Sequence, residues 1–106
     1  MRRKDHPVIE PEVREDVDEL HAEHPRGLVS PGGAQQMLGL SRGAIEGMIR
    51  RKRVKVYYGP DLVDKLGPFV HKGPRWILIP VTEIERYGRE RGREVRYLWA
   101  EHRPPA

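Results

Sequence analysis

The sequence predicts a mainly α-helical domain that carries a small β-wing, a short hairpin beside the helices. Three observations lead to this prediction. First, two short amphipathic stretches, each preceded by a capping serine, are joined by a glycine. Second, a stretch with the alternating pattern of a strand follows them. Third, a further stretch with apolar residues at helical spacing ends the region. The chain has 106 residues, the length of one small domain, so its core must be modest.

The N-terminal segment, residues 1–26, is acidic, and we expect it to hold one short helix. Its first ten residues are charged and broken by proline, which is typical of a disordered arm. Over residues 11–24, Val13, Val17 and Leu20 recur at helical spacing after a proline suited to a first turn. Such a short helix must dock against another element to be stable.

A central unit, residues 27–91, opens with two short helices joined by a glycine turn. Ser30 is placed to cap the first helix, Pro31 suits its first position, and Gly39 ends it after two turns. Ser41 then opens the second helix. The apolar side chains expected to face the core are Ala34, Met37 and Leu38 of the first helix, and Ile45, Met48 and Ile49 of the second.

The period changes from helix to strand after the second helix. Val54, Val56 and Tyr58 alternate with more polar side chains, which predicts a first wing strand. Three Gly-Pro turns then divide the chain. We expect residues 69–72 to pair with residues 75–79 and to form the hairpin of the wing.

A last helix is predicted from Val81, and we expect it to continue into a C-terminal helical extension over residues 92–106. Gly88 and Gly92 stand within this stretch, and each weakens a helix interior. The apolar side chains fall roughly on one side of such a helix. They are Ile84, Tyr87, Val95, Leu98 and Trp99.

The charge of the chain is unevenly distributed. Twenty Lys and Arg against sixteen Asp and Glu give a net charge of +4. Residues 1–26 carry −3, residues 27–80 carry +6 and residues 81–106 carry +1. The positive field therefore lies in the middle of the chain, where we expect a phosphate-rich partner such as nucleic acid to bind.

The residue types present exclude several classes of site. The chain has no Cys, which excludes disulfides, thiolate zinc sites and cysteine catalysis and favours a reducing, cytoplasmic location. No apolar run is long enough to span a bilayer, so we expect no membrane association. Ser30, Ser41 and Thr82 are the only aliphatic hydroxyls, and the two serines are already needed as caps. We therefore expect no enzyme activity, no metal and no cofactor.

The predicted order of elements is helix, tight turn, helix, strand, hairpin and helix, which is the order of a winged helix-turn-helix. The second helix of such a unit fits the major groove of DNA, where a guanidinium meets guanine and a carboxylate accepts a hydrogen bond from cytosine. The positions of the second helix that face away from the predicted core are Arg42, Gly43, Glu46 and Gly47, with Arg50 a turn further.

These residue types indicate distinct roles at DNA. Arg42 and Arg50 are candidate base or phosphate donors, and Glu46 is a candidate for selecting a base. The basic run, defined as residues 50–55, holds five cations that suit phosphates, and the tip of the wing is expected to touch the DNA backbone. The predicted DNA-binding residues are Ser41, Arg42, Gly43, Glu46, Arg50, Arg51, Lys52, Arg53, Lys55, Lys72 and Arg75.

The stretch LVSPGGAQQMLGLSRGAIEGMIRRKRVKV, followed by RWILIPVTEIERY, resembles the DNA-binding domain of the excisionase and MerR-like family. The resemblance covers residues 28–87, roughly the central half of the chain. It implies a winged helix-turn-helix and a DNA-binding function. The residue patterns at the two ends of the chain add the expected flanking N- and C-terminal helices. The positions that match the family pattern are Ser30, Ala34, Leu38, Ser41, Arg75, Trp76, Ile79 and Pro80.

The sequence departs from this family pattern at two places. The family usually ends its second helix at a glycine, whereas Lys52 stands at that point. About sixteen residues lie between Tyr58 and Arg75, where the family has a short wing. We therefore expect an inserted segment that enlarges the wing or adds a small lobe against it.

Together these features predict a sequence-specific protein that binds double-stranded DNA, either a transcription regulator or an excisionase-like recombination factor. Two alternatives stay open. A phage DNA-packaging subunit of the small-terminase type also recognises DNA with a winged helix-turn-helix. A protein-interaction adaptor would instead use the acidic segment and the C-terminal helix, with the basic region as a solvated surface.

Further copies of the chain are expected to bind side by side on DNA, because one small winged domain covers a limited stretch of duplex. Two narrow apolar stripes are candidate surfaces for contact between copies. They are the stripe of Val13, Val17 and Leu20 and the stripe of Val95, Leu98 and Trp99. The alternative is that both stripes fold back on their own domain.

Overall fold

A computed structural model of the protein describes residues 8–14, 16–59 and 77–104. Within these ranges the fold is mixed α/β, with four helices and a four-stranded mixed sheet. The strands are β1 (Glu12–Val13), β2 (Leu28–Val29), β3 (Tyr57–Tyr58) and β4 (Ile77–Pro80). The helices are α1 (Val17–Glu23), α2 (Pro31–Leu38), α3 (Arg42–Arg50) and α4 (Val81–Glu90), and a 3-10 turn follows at Ala100–His102. None of the helices in these ranges has the length and apolar character that crossing a bilayer requires.

The sheet has the strand order β1-β3-β4-β2. Strand β3 pairs with β4 in antiparallel register, with Tyr57 opposite Leu78, and β4 pairs with β2, with Val29 opposite Ile79. Strand β1 closes the other edge and runs parallel to β3. The prediction of a mainly α fold is therefore incomplete, because the sheet recruits short strands that precede the helix pair in the chain.

The two central helices form as the capping signals predict. Ser30 Oγ accepts a hydrogen bond of 3.1 Å from the backbone N–H of Gly33, and Ser41 Oγ accepts one of 3.1 Å from Ala44. Gly39 ends α2 in the left-handed conformation, with a φ of +66°. A side chain at that φ would be strained, so glycine fixes the turn that sets α3 against α2.

The core lies between α2, α3, α4 and one face of the sheet. Its residues include all the side chains predicted to face inward from α2, and Ile45 and Met48 of α3, while Ile49 is half-buried against the same cluster. The buried residues of this cluster are Val29, Ala34, Met37, Leu38, Ile45, Met48, Val54, Val56, Ile79, Val81, Ile84 and Tyr87.

The N-terminal helix is shorter than predicted. It begins at Val17, because Asp16 accepts a hydrogen bond of 3.0 Å from the N–H of Glu19 and so caps the first turn. The residues before this cap extend as β1 along β3, and the side chain of Val13 stays 63% exposed. Leu20 is buried, so this stripe contributes a core contact within its own chain.

The C-terminal helix also ends earlier than predicted. Helix α4 stops at Glu90, and Gly92 takes a φ of +66°, which turns the chain back. Residues 93–98 then run along α2, and the N–H of Arg96 donates to the carbonyl of Met37 at 2.8 Å. Val95 and Leu98 pack on the core from this extended segment. The expected helical extension over residues 92–106 is therefore wrong in the described residues.

The first predicted wing strand is shorter than expected, because only Tyr57–Tyr58 is paired in the sheet. Val54 and Val56 precede the strand and are buried. The predicted hairpin and the inserted segment fall mostly on residues 60–76, which lie outside the described residues. Lys72, Arg75 and Trp76 lie there as well. The described end of the predicted hairpin, from Ile77, forms β4.

Helix α3 ends at Arg50, and Lys52, which stands where the resembled pattern has a glycine, lies in the turn that follows. Lys52 has a φ of +56°, the left-handed conformation that glycine adopts without strain. Its N–H donates to the carbonyl of Ile49 at 3.0 Å and closes the helix. The turn therefore has the left-handed backbone conformation in which glycine is usual, but a lysine, whose Cβ makes that conformation unfavourable, occupies the position.

Replacing Lys52 should separate the backbone cost from the role of its side chain. We expect Lys52→Gly to be more stable than Lys52→Ala by about 0.5 to 1 kcal/mol, because both remove the ammonium and only glycine relieves the left-handed strain. Urea unfolding of the two variants measures this difference in the free energy of unfolding. Equal stabilities would show that the turn carries no strain.

Candidate nucleic-acid interface

The solvent face of α3 presents the residues that the sequence places there. Arg42, Gly43, Glu46 and Arg50 are all exposed. The Nε of Arg42 donates to Glu46 Oε2 at 3.0 Å, one helical turn away, and the Arg42 side chain is 82% exposed. Opposite charges at this spacing stabilise a helix only weakly, so both side chains stay available to a partner.

A groove of about 590 Å³ lies beside this face. Residues of α2, α3 and the strands β3 and β4 line it, and Arg42, Glu46 and Arg50 are its charged members. Among the described residues, the lining is Pro31, Gly32, Gln35, Arg42, Ile45, Glu46, Ile49, Arg50, Tyr58 and Ile77.

The two glycines of α3 differ in their surroundings. An added Cβ at Gly43 would meet no atom within 4 Å, so packing gives no reason for a glycine there. Gly47 was predicted to face outward, but it is buried, because the guanidinium of Arg51 lies across it. A Cβ at Gly47 would stand 3.0 Å from Arg51 Nη2. Gly47 thus makes room for Arg51, whereas Gly43 leaves the helix surface open.

The basic run, residues 50–55, divides into two parts. Arg50 and Arg51 are exposed, whereas Lys52, Arg53 and Lys55 are half-buried. Helix α4 fixes the backbone here, because Arg86 Nη2 donates to the carbonyl of Arg53 at 2.7 Å and the N–H of Lys55 donates to Glu83 Oε1 at 2.8 Å. The run is therefore not one uniform solvated surface.

The two lysines of the basic run are paired with carboxylates of the N-terminal segment. Lys52 Nζ lies 3.0 Å from Glu10 Oε1, and Lys55 Nζ lies 3.4 Å from Glu12 Oε1. Lys55 Nζ also donates to the carbonyl oxygen of Glu10 at 3.2 Å. These contacts cannot be predicted from local sequence, because the partners stand more than forty residues apart.

These carboxylates belong to the acidic arm, which we define as residues 8–14. The N–H of Ile9 donates to the carbonyl of Lys52 at 3.0 Å, and that of Arg14 donates to Tyr58 at 2.9 Å. The prediction of a disordered arm is therefore wrong for residues 8–10, and residues 1–7 lie outside the described residues. Backbone pairing as well as charge holds the acidic arm along β3.

The base of the acidic arm is tied to α1. Two guanidinium nitrogens of Arg14 donate to the carboxylate of Glu23, at 3.0 and 2.6 Å. The hydrogen bond from Arg14 lowers the pKa of Glu23 below its ordinary value. His24 Nε2 lies 3.1 Å from Tyr57 Oη, and partial burial lowers the pKa of His24. The Arg14–Glu23 contact joins the acidic arm to α1, and the His24–Tyr57 contact joins the end of α1 to the start of β3.

Three further cations lie on α4 and the segment that follows it, and sequence reasoning missed them. Arg93 donates to the carbonyls of Leu38 and Gly39, both at 3.2 Å, and so caps the end of α2. Arg89 and Arg96 are exposed. We call Arg89, Arg93 and Arg96 the C-terminal arginine patch. This patch does not stand out in the sequence, because the acidic residues around it reduce the net charge of residues 81–106 to +1.

A partly buried polar network anchors the segment that carries this patch. Arg26 Nη1 donates to Glu85 Oε1 at 2.9 Å, Arg26 Nη2 donates to the carbonyl of His102 at 2.8 Å, and the Tyr97 hydroxyl donates to Glu85. Burial opposes ionisation of Glu85, but the hydrogen bonds from Arg26 and Tyr97 outweigh it and hold the pKa of Glu85 below its ordinary value.

Comparison with protein-family models, curated proteins and solved structures finds no match to this chain. Across the described ranges, no three His, Asp or Glu residues are grouped so as to hold a metal ion. The Ser30 and Ser41 hydroxyls are engaged as helix caps. The function therefore has to be inferred from the surface charge and shape of the chain's own residues.

The hydrogen-bond network of Arg26, Glu85 and Tyr97 should make the free energy of unfolding depend on pH. We expect Glu85→Gln to lower the free energy of unfolding by about 1 to 3 kcal/mol at pH 7, because it leaves Arg26 without its anionic partner. Since the pKa of Glu85 is lowered in the folded protein, its contribution is present above the unfolded value of about 4.3 and is lost as the pH falls below it.

Urea unfolding of the wild type and Glu85→Gln at pH 7 and pH 3 measures this effect. The two proteins should differ at pH 7, and the difference should be smaller at pH 3. Glu101→Gln, which removes an exposed carboxylate, is the control and should match the wild type at both values. A difference that persists unchanged at pH 3 would mean that the Glu85 charge contributes nothing.

Proposed function

We propose that this chain is a sequence-specific protein that binds double-stranded DNA through α2, the Gly39 turn and α3 as a winged helix-turn-helix, with β3 and β4 as the base of the wing. The observation that carries the proposal is the two-sided character of α3. One side is buried against α2 and the core, and the other offers an exposed arginine, an open glycine and an exposed carboxylate near its capped start. A major groove admits one helix with such a face.

The start of α3 is the part that reads bases in this proposal. Arg42 donates two parallel hydrogen bonds to a guanine, and Glu46 accepts from the cytosine amino group. Because the two side chains are one turn apart and paired at 3.0 Å in the free protein, they reach neighbouring positions on the groove floor. Their exposed ion pair is weak and is readily exchanged for base contacts.

Contacts to phosphates come from the cations around this helix. Arg50 and Arg51 stand at the end of α3. In the C-terminal arginine patch, the backbone N–H of the exposed Arg96 holds that residue against the end of α2, and Arg89 is an exposed cation of α4. Lys72 and Arg75 of the predicted wing tip are further candidates. Such cations fix the register of the reading helix on the duplex without reading sequence.

The proposal leaves the biological setting as transcription regulation or recombination of the excisionase type, with DNA packaging as the alternative. An adaptor role is less favoured, because its two expected surfaces are occupied. Leu20, Val95 and Leu98 pack within their own chain, and carboxylates of the acidic arm pair with Lys52 and Lys55. Val13 and Trp99, one from each stripe, remain 63% and 61% exposed and are left for contact between copies on DNA.

The proposal predicts that Arg42, at the start of α3, and Arg51, just after its end, act differently on DNA. On a site selected from a random duplex library, Arg42→Ala should lose about 1 to 3 kcal/mol of binding free energy, with a smaller loss on random duplex. Arg51→Ala should weaken both duplexes equally and flatten the slope of log K against log salt by about 0.9. Fluorescence anisotropy over a salt series measures both effects.

Arg103→Ala, which removes an exposed cation from the tail, serves as the charge-matched control for both variants. It should leave affinity and salt slope close to those of the wild type. Absence of binding to every duplex at about 50 mM salt, in the low-salt regime where phosphate contacts are strongest, would reject the proposed function. An equal loss on both duplexes for Arg42→Ala would reduce Arg42 to a phosphate contact.

Gly43 gives a second test, because stability and DNA binding should respond in opposite directions. With no atom within 4 Å of its Cβ position, Gly43→Ala should stabilise the free protein by up to about 1 kcal/mol through helix propensity. If DNA approaches the backbone there, the added methyl group should reduce affinity. Urea unfolding and anisotropy on the selected duplex measure the two effects. A stabilised variant with unchanged affinity would place Gly43 outside the interface.

A further inference from the structure

The acidic arm lies on the part of the basic run that is nearest to β3. Its carboxylates meet the ammonium groups of Lys52 and Lys55 at 3.0 and 3.4 Å, and the N–H of Ile9 donates to the carbonyl of Lys52 at 3.0 Å. The arm thus brings two negative charges to the two lysines that the basic run offers for phosphates. No other carboxylate pairs with these lysine side chains within the described ranges.

Carboxylates and phosphates bind a lysine side chain in the same way. Each binds an ammonium group through an oxygen at hydrogen-bonding distance, and each carries negative charge. A phosphate that approaches Lys52 or Lys55 meets the negative charge of Glu10 and Glu12, which repels it. The same carboxylates already neutralise the charge that would attract the phosphate. The arm and the DNA backbone are therefore competing ligands of these lysines.

The arm is attached loosely at its tip and firmly at its base. The side chains of Glu10 and Lys52 are 71% and 40% exposed, so their pairing is weak and screened by salt. Strand β1 contributes only two paired residues. By contrast, the Arg14 side chain is 16% exposed and holds Glu23 through two hydrogen bonds. The carboxylate side chains of Glu10 and Glu12 are thus able to leave the lysines, while the backbone contact of Ile9 and the base on α1 keep the arm beside the basic run.

We infer that the acidic arm is an intramolecular competitor of DNA, which occupies Lys52 and Lys55 in the free protein and gives way when the DNA backbone binds the basic run. The arm lowers affinity for every duplex, because each must displace it. Stable binding therefore requires base contacts by α3 in addition to phosphates. This inference rests on the proposed function and adds regulation of the same site.

The central test removes the two arm charges without shortening the chain. Glu10→Gln with Glu12→Gln should bind random and selected duplexes about threefold to tenfold more tightly than the wild type at low salt. Its slope of log K against log salt should be steeper by about 0.9 for each lysine released to a phosphate. Fluorescence anisotropy over a salt series measures both quantities.

A matched control separates the arm contact from the general effect of net charge. Asp18→Asn with Glu101→Gln also removes two exposed negative charges, but neither residue pairs with the basic run in the described ranges. This variant should gain less than about twofold, because distant surface charges are screened. An arm variant that gains no more than this control would overturn the inference.

A double-mutant cycle then tests the specific pair. Lys52→Gln should weaken DNA binding more in the Glu10→Gln background than in the wild type, because only there does Lys52 meet DNA without first losing a partner. The Asp18→Asn background should leave the effect of Lys52→Gln unchanged. Equal effects in all three backgrounds would overturn the inference while the proposed function stands. Loss of all duplex binding in every variant, the wild type included, would instead reject the proposed function and the inference with it.

Discussion

The packing of α2 is the constraint on which the rest of the structure depends. This helix contains no charged residue in a chain that is 34% charged, and Ala34, Met37 and Leu38 are almost completely buried. It contacts α3, α4 and the strands β2 and β4. An uncharged, small-residue helix allows these neighbours to approach closely, since close packing leaves little space for polar side chains. The position of α3, and with it the candidate interface, follows from this packing.

Local capping chemistry made the helix pair predictable from the sequence. Ser30, Gly39 and Ser41 each satisfy backbone groups within three or four residues, so their effect can be seen in a short window. The elements that sequence reasoning missed are of another kind. Strands β1 and β2 have two residues each, too few to show a period, and β1 is defined only by its distant partner β3. Tertiary pairing of this type has no local signal.

The same distinction holds for the candidate interface. The exposure of Arg42, Glu46 and Arg50 follows from the apolar stripe on the opposite side of α3, and the sequence predicts it. The outward position predicted for Gly47 is wrong, and the sequence does not predict the partners of the two paired lysines, because the surroundings of all three residues come from side chains that fold onto them. Arg51 covers Gly47 from the next turn, and the acidic arm reaches Lys52 and Lys55 from the start of the chain. Charge composition predicts a surface field but not which cations are already neutralised.

The contacts of residues 93–102 have a consequence for how the protein is made. Arg93 completes the end of α2, Tyr97 and the carbonyl of His102 join Glu85 and Arg26, and an added Cβ on Gly33 would touch Leu98. The partners supplied by the C-terminal segment, Arg93, Tyr97, Leu98 and His102, follow the helix pair in order of synthesis. A nascent chain that has just produced α2 and α3 therefore lacks the side chain that closes the end of α2 and the network that holds Arg26. Because long-range contacts form later than local ones, we expect the packing around α2 to be completed only after residues 93–102 have been translated.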